Sequence, residues 1–424
     1  MGEVNRDGHL KDIDTLIANK VVSAKAKVRL PVYDIDTNNR PENTQPEHDR
    51  ILFNGEDLGL LSGGNGVWKY NEFEVDIRTI KFPSRGLNGI KPTPAENEIR
   101  INIDESSASE SWCMAVDWVA ISFDTIAPIL LVHGTNAQSD TWDPIFTNAL
   151  NTRRIPFSND INMERNGSSE QNARILKKRV NELAKSFGAQ SVHLVSHSKG
   201  GVDSRRFFSA HYTPNPSGGE PKVLSLTTIS TPHHGTILSD LSVKHRTVND
   251  LESNNTDIEG FFKVDGLLSF SGEGPSGAAL LQQTTNSMVE FNSNNPFPSE
   301  IKFYTIGSDA DIDNNGAITS AEASPLVRIS AANIGSIMYR ILGNGKKYTI
   351  ARHTNFSGLN EYHTLTPVNT ESFQRNDLVV TEQSAQHRSG SRILFVDDNH
   401  SGIKNAGTLQ AVLNQITSDF PLHF

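Results

Sequence analysis

Between residues 27 and 123, short apolar runs alternate one for one with polar positions. Val28-Arg29-Leu30-Pro31-Val32-Tyr33, Arg50-Ile51-Leu52-Phe53, Phe73-Glu74-Val75-Asp76-Ile77, Glu98-Ile99-Arg100-Ile101-Asn102-Ile103 and Trp118-Val119-Ala120-Ile121-Ser122-Phe123 follow this pattern. Asn54-Gly55, Gly63-Gly64-Asn65-Gly66 and Leu87-Asn88-Gly89 supply turns between them. A period of two turns one face to a core and the other to water. The spacing therefore predicts an all-β sandwich over residues 1–125, entered through a short helix at 13–17 and a strand at 21–28. Single tryptophans on strands are usually packed, so Trp68, Trp112 and Trp118 are expected in its core.

From Pro128 the pattern changes. Ile129-Leu130-Leu131-Val132 is apolar without alternation, as a strand covered on both faces should be. In 168–187, Ile175, Val180, Leu183 and Ala184 recur at helical spacing. Strands are expected at 192–195, 223–230, 301–306 and 393–396, and helices at 201–210 and 329–342. Strand–helix alternation predicts an α/β domain over 126–424, with a mostly parallel sheet and helices on both faces. Residues 237–298 interrupt the alternation. They hold apolar clusters (Phe261-Phe262, Leu267-Leu268, Phe270) among polar residues, and are expected to form a cap or lid.

Composition narrows the function classes. The net charge of -10 argues against nucleic acid and anionic membrane surfaces as partners. Cys113 is the single cysteine among 424 residues, so no intrachain disulfide is possible. No apolar run reaches membrane-spanning length. The first residues lack the apolar core of a signal peptide, and the Asn- and Ser-rich composition suggests a secreted protein whose signal is already removed.

The chemistry concentrates at Ser196-His197-Ser198-Lys199-Gly200-Gly201. An apolar strand enters this segment and a helix leaves it. That is the context of a nucleophile elbow, which stands a serine Oγ above the sheet opposite free helix N–H groups. Ser196 occupies the first position, where the motif has glycine.

With Pro128-Ile129-Leu130-Leu131-Val132-His133-Gly134, Ile229-Ser230-Thr231-Pro232-His233-His234-Gly235-Thr236, Arg375-Asn376-Asp377-Leu378-Val379-Val380 and Asn399-His400 in order around it, the region 126–424 resembles the bacterial true lipases of the α/β-hydrolase superfamily. The resemblance implies a serine carboxylic ester hydrolase acting on lipid esters. A polyester depolymerase with a surface-binding N-terminal domain, and a binding protein on a hydrolase scaffold, are the alternatives. Phe53-Asn54-Gly55-Glu56-Asp57-Leu58-Gly59 with Trp68 and Asn97-Glu98-Ile99-Arg100-Ile101 more loosely resembles galactose-binding-like jelly rolls.

Ser198 is then the nucleophile. In the superfamily order the acid and the base follow it. His400 is the expected base, in the loop after the last strand and matching the family's Asn-His pair. His353, His363, His387 and His423 are the other candidates after Ser198. The family places the acid at Asp377, although Leu378 stands where it has glycine. The generic superfamily position, after the strand ending at Ile306, gives Asp309 as the alternative. In family lipases the oxyanion donors are backbone N–H groups, here those of Thr135 and Lys199.

Asp311-Ile312-Asp313-Asn314-Asn315-Gly316-Ala317-Ile318-Thr319-Ser320-Ala321-Glu322 fits an EF-hand loop. Asp311, Asp313, Asn315, Ala317, Thr319 and Glu322 are its candidate ligands for a structural Ca2+. The family's second aspartate just after the catalytic histidine is replaced by Ser401 and Gly402, so calcium is expected in the 311–322 loop instead. His233-His234 lack a matched carboxylate set for zinc.

Overall fold

The computed structural model describes residues 3–35, 46–84, 93–104, 113–135, 137–142, 144–215, 218, 220–239, 277–324, 334–343, 348–354, 361–367, 373–388 and 390–422. The chain forms two compact units. One comprises Met1–Ile126 with Thr152–Ile155 and Phe420–Phe424, and the other Ala127–Asn151 with Pro156–Asp419.

In the first unit, α1 (Ile13–Ala18) precedes the strands β1 (Val22–Tyr33), β2 (Arg50–Phe53), β3 (Glu56–Leu60), β4 (Trp68–Asp76), β5 (Ile99–Asn102), β6 (Ala115–Val116) and β7 (Ala120–Thr125). They make a four-stranded antiparallel sheet around β1 and a three-stranded one in the order β3-β2-β5. Leu30 and Val32 of β1 share a buried cluster with Ile51 of β2, and Ile99 and Ile101 of β5 pack against it. The two sheets thus close on one core, as alternating side chains allow.

Two expectations need correction here. The separate strands at 21–28 and 28–33 are one twelve-residue strand, β1. Pro31, which has no N–H to give a ladder, falls where pairing with β7 ends at Arg29 and pairing with β6 starts at Val32. Trp68 and Trp118 are not core residues, being 54% and 44% exposed, and Trp112 lies outside the described residues. On β4 only every second residue can turn inward, and in Trp68–Asp76 the buried positions fall to Asn71 and Val75.

The second unit holds β8 (Ile129–Val132), α2 (Ile145–Thr152), β9 (Phe157–Ser158), α3 (Ser169–Phe187), β10 (Ser191–His197), α4 (Lys199–Ala210), β11 (Lys222–Ile229), α5 (Gly277–Gln282), α6 (Thr285–Asn294), β12 (Lys302–Asp309), α7 (Ser320–Ala323), α8 (Ile334–Gly343), β13 (Tyr348–Thr354), β14 (Glu361–Pro367), α9 (Glu382–Ala385), β15 (Arg392–Asp397) and α10 (Ala406–Asp419). Its main sheet is parallel throughout, in the order β15-β12-β11-β10-β8-β9. All four residues of β8 are buried. β13 and β14 form a separate antiparallel pair. The interval expected to carry the lid falls largely outside the described residues, which stop at 239 and resume at 277 with α5 and α6.

Local signals set α3. Ser168 caps its N-terminus in a capping box with Gln171, and Gly188 ends it in the left-handed conformation. Its buried face, with Leu176, Val180 and Leu183, joins Val192 and Leu194 of β10 and Phe207 of α4. Each fully buried aliphatic side chain contributes about 1.5–3 kcal/mol. This packing clamps α3 and α4 to the strand that ends at the elbow.

Candidate active site

Ser198 joins β10 to α4 with φ 56 and ψ −135. Side chains rarely tolerate that backbone, and it persists only where the surroundings enforce it. Glycines permit the crowding. A methyl group on Gly200 would sit 2.5 Å from the His133 carbonyl oxygen, and one on Gly201 2.2 Å from Thr231 Oγ1. One on Gly134 would sit 2.6 Å from Ser198 Cβ. Thr231 Oγ1 donates to the Ser198 carbonyl at 2.8 Å, and the Ser198 N–H donates to the Ile229 carbonyl at 2.9 Å. Ser196 fits the motif's first position because its hydroxyl bonds Ser204 Oγ at 2.8 Å, which in turn donates to the Gly200 carbonyl.

Asp377 and His400 meet: His400 Nδ1 lies 2.8 Å from Asp377 Oδ2, and the His400 N–H donates to the Asp377 carbonyl at 2.9 Å. Asp377 Oδ1 accepts from the N–H groups of Val379 at 2.9 Å and Val380 at 2.7 Å. Leu378 adopts φ 73, so a leucine takes the left-handed turn that glycine favours. His197, beside the serine, donates from Nε2 to the His400 carbonyl at 2.8 Å, and the two rings lie 4.7 Å apart. Burial holds the His197 imidazole well below its usual pKa, so it is a neutral donor. No hydrogen bond joins Ser198 Oγ to His400 among the described residues; such contacts are often long in enzymes without substrate.

Asp309 is not brought to His400. It ends β12 and accepts from Tyr339 OH at 2.8 Å, and burial raises its pKa. Among the other histidines, His387 packs against His233 with ring centroids 5.1 Å apart. The side chains of His353 and His363, and the whole of His423, lie outside the described residues.

Lys199 opens α4, where a backbone N–H has no partner within the helix. Its side chain turns back to Asp203, Nζ to Oδ1 2.5 Å, with both residues 1% exposed. This pair lies outside the motifs legible in the sequence, though its i,i+4 spacing is visible in the chain. Thr135 follows His133-Gly134, and its Oγ1 accepts from Gln283 Nε2 at 3.0 Å. His133 is buried, which lowers its pKa.

In the 311–322 loop, one carboxylate oxygen each of Asp311, Asp313 and Glu322 lies within 4.8 Å of the others. Gly316 makes the turn at φ 77, and the Asp311 carboxylate accepts from Asn315 N and Gly316 N. Glu322 accepts from Ile312 N and Thr319 N, and Thr319 caps α7. Asn315 Nδ2 donates to Asp313 Oδ2, and the Ala317 N–H donates to Asn315 Oδ1. A set of hard oxygen donors at this spacing suits Ca2+. Asn399, the neighbour of His400, donates from Nδ2 to the Glu322 and Ser324 carbonyls at 2.9 and 2.7 Å. The imidazole of His233 is engaged by Thr228 and Arg205, and that of His234 by the Gln386 carbonyl.

An elbow serine at the end of a parallel strand, with an Asp–His pair on later loops, is the arrangement of α/β-hydrolases. No protein-family model matches the chain. It is similar to a triacylglycerol lipase of Burkholderia plantarii, 28% identical over 200 residues that cover 44% of this chain and 53% of that protein. It is 33% identical to a triacylglycerol lipase of Pseudarthrobacter phenanthrenivorans over 137 residues, 32% of this chain and 39% of the relative. The chain thus spans about half, or less, of the length of these curated relatives. Among solved structures, lipase 1 of Pelosinus fermentans aligns with a TM-score of 0.45 at 17% identity, over 70% of this chain and 100% of that one. The mature lipase of Bacillus licheniformis aligns with a TM-score of 0.44 at 21% identity, over 68% and 91%. The two curated relatives bear out the resemblance to bacterial lipases.

Proposed function

We propose that this protein hydrolyses carboxylic esters, lipid esters first, through an acyl-enzyme on Ser198. The observation that carries the reading is the Asp377–His400 pair held beside an enforced elbow serine. His400 takes the Ser198 proton as Oγ attacks the carbonyl carbon. The N–H groups of Thr135 and Lys199 receive the oxyanion, and His400 returns the proton to the leaving alcohol. Water then repeats the sequence in reverse to free the acid and the serine. Asp377 keeps the His400 tautomer with Nδ1–H toward itself and stabilises the imidazolium.

Labelling with a fluorophosphonate probe, beside p-nitrophenyl ester turnover from acetate to palmitate, tests this reading. Wild type is expected to label and turn over, and Ser198→Ala to do neither. An unlabelled, inactive wild type would instead support a binding protein on a hydrolase scaffold.

The exposed rings on the first unit favour a second element, action at a surface. Trp68 and Tyr70 of β4, both 54% exposed, stand with Trp118, whose ring lies 6.2 Å from that of Tyr70. Amphipathic rings suit a boundary between apolar matter and water. In this reading an N-terminal β-sandwich, residues 1–125, holds the hydrolase at a lipid or polyester surface. The same reading gives Ca2+ a structural place in the 311–322 loop and the protein an extracellular setting. No described helix is long and apolar enough to cross a membrane.

A further inference from the structure

Three segments that carry reacting groups meet on one side chain, His197. It is the last residue of β10 and directly precedes Ser198. Its Nε2 donates to the His400 carbonyl at 2.8 Å, a bond that spans 203 positions of the chain. Trp142 ends a 3-10 turn, Ser139–Trp142, in the segment that follows Thr135. It is 1% exposed, and its ring meets the His197 ring edge-on at 6.2 Å.

Asp377 and His197 divide the hold on the base. Asp377 takes the His400 Nδ1 with its carboxylate and the His400 N–H with its carbonyl. His197 takes the His400 carbonyl. The Asp377 bonds set the tautomer and tilt of the imidazole, but neither of them refers to the serine. The His197 bond does, because it starts one residue from Ser198. His400 follows β15 and Ser198 follows β10, and two strands lie between these in the sheet. The bond sets the separation of base and nucleophile directly, rather than through the twist of the whole sheet.

The chemistry of the ring suits that bond. A carbonyl oxygen only accepts, so Nε2 carries the hydrogen and Nδ1 keeps the lone pair. Nδ1 is buried without a partner among the described residues, a cost that an apolar side chain at 197 would not incur. Packing alone therefore favours another residue, and the donated bond favours histidine. The ring must also stay neutral, because in the proposed reaction His400 becomes an imidazolium with its ring 4.7 Å away. Burial keeps it neutral, helped by Lys404, His400 and His133 and opposed by the bond to the His400 carbonyl.

We propose that His197 is a positioning residue for the base: its Nε2–H pins the His400 backbone and so aims the second imidazole nitrogen at Ser198 Oγ. The assignment rests on the ester-hydrolase reading and deepens it.

The experiment measures kcat and KM on p-nitrophenyl butyrate, and by proton NMR the low-field resonance of the His400 Nδ1–H held by Asp377. Wild type is compared with His197→Gln, whose amide nitrogen stands about where Nε2 does, and His197→Leu, which has no donor. His197→Leu is expected to lower kcat about 10- to 100-fold with KM within about twofold, and to broaden the resonance. His197→Gln is expected to stay within about fivefold of wild type and to keep the resonance. Where His197→Leu does not fold, His197→Asn replaces it, since its amide is one bond too short to reach the carbonyl. A donorless variant with kcat within about twofold of wild type overturns the proposal, as does an equal loss in His197→Gln; both leave the hydrolase reading standing. If wild type cleaves no ester, the hydrolase reading falls and the resonance alone decides. Its loss in His197→Leu and survival in His197→Gln keep the positioning role. The same resonance in all three, or none in an inactive wild type, overturns it.

Discussion

The elbow after β10 and the loop after β12 stand at the same end of one parallel sheet, two strands apart, and they are held by opposite means. At the elbow the backbone is forced by neighbouring backbone: Gly200 faces the His133 and Val132 carbonyls, and nothing there can yield cheaply. In the loop, carboxylates of Asp311 and Glu322 hold backbone N–H groups, and one carboxylate oxygen each of Asp311, Asp313 and Glu322 gathers within 4.8 Å. The elbow is fixed by shape and the loop by charge. A shape-fixed site fails when volume is added. A charge-fixed site fails when the balance of charge changes.

The largest effect separates two aspartates that are equally buried, at 1% exposure. Asp377→Asn is expected to lower kcat about 10⁴-fold, because the amide no longer imposes the productive His400 tautomer. Asp309→Asn should lower it less than about threefold, since its partner is Tyr339. Parallel kcat measurements on p-nitrophenyl butyrate decide this, and equal losses would remove the distinction. Next comes Gly200→Ala. A methyl group 2.5 Å from a backbone oxygen must displace the elbow or β8, and a shift near 1 Å costs about a hundredfold in kcat/KM. A normal rate in this variant would show that the elbow is not held by crowding.

Legibility in the sequence followed the same division. Ser198 was readable because a strand, a turn and a helix are consecutive, and the small residues the crowding demands lie within a few positions. The unbroken apolar run of β8 and the helical spacing in α3 were readable for the same reason. The carboxylate partner of His400 was not decidable from spacing, because Asp309 and Asp377 both follow plausible elements and only the fold shows that Asp377 reaches His400. The Lys199–Asp203–Asn172 chain, in which Asn172 Nδ2 donates to Asp203 Oδ2 at 2.8 Å, was missed because Asn172 comes from another helix. Trp68 and Trp118 were misread because alternation says that one face is buried, not which one, and on β4 it is Asn71 and Val75 that turn inward.

The loop gives a smaller effect. With Ca2+ at about a hundred times its Kd, binding to the folded state alone adds about 2.7 kcal/mol. Exhaustive chelation is therefore expected to lower Tm by about 4–5 °C for a unit of this size, and Asp313→Ala to abolish the difference. Asn399 ties the Glu322 and Ser324 carbonyls beside His400, so kcat should fall as well, by less than the loss in Asp377→Asn. An unchanged Tm on chelation would leave the loop as a turn held by its own N–H groups.

The smallest effect tests whether shape also governs the acid. Leu378 sits at φ 73, a conformation that costs a leucine about 1–2 kcal/mol. It is also fully buried, which returns about 1.5–3 kcal/mol. Leu378→Gly removes both terms, so the net change in stability should be near 1 kcal/mol and unfavourable. The Asp377 carboxylate is held by the N–H groups of Val379 and Val380, which a glycine at 378 leaves in place. Steady-state kinetics on the variant should give kcat within about twofold of wild type, with a slightly lower Tm. A tenfold loss of kcat at modest loss of Tm would mean that the packed leucine aims the carboxylate. The acid would then belong with the elbow, among the parts fixed by shape.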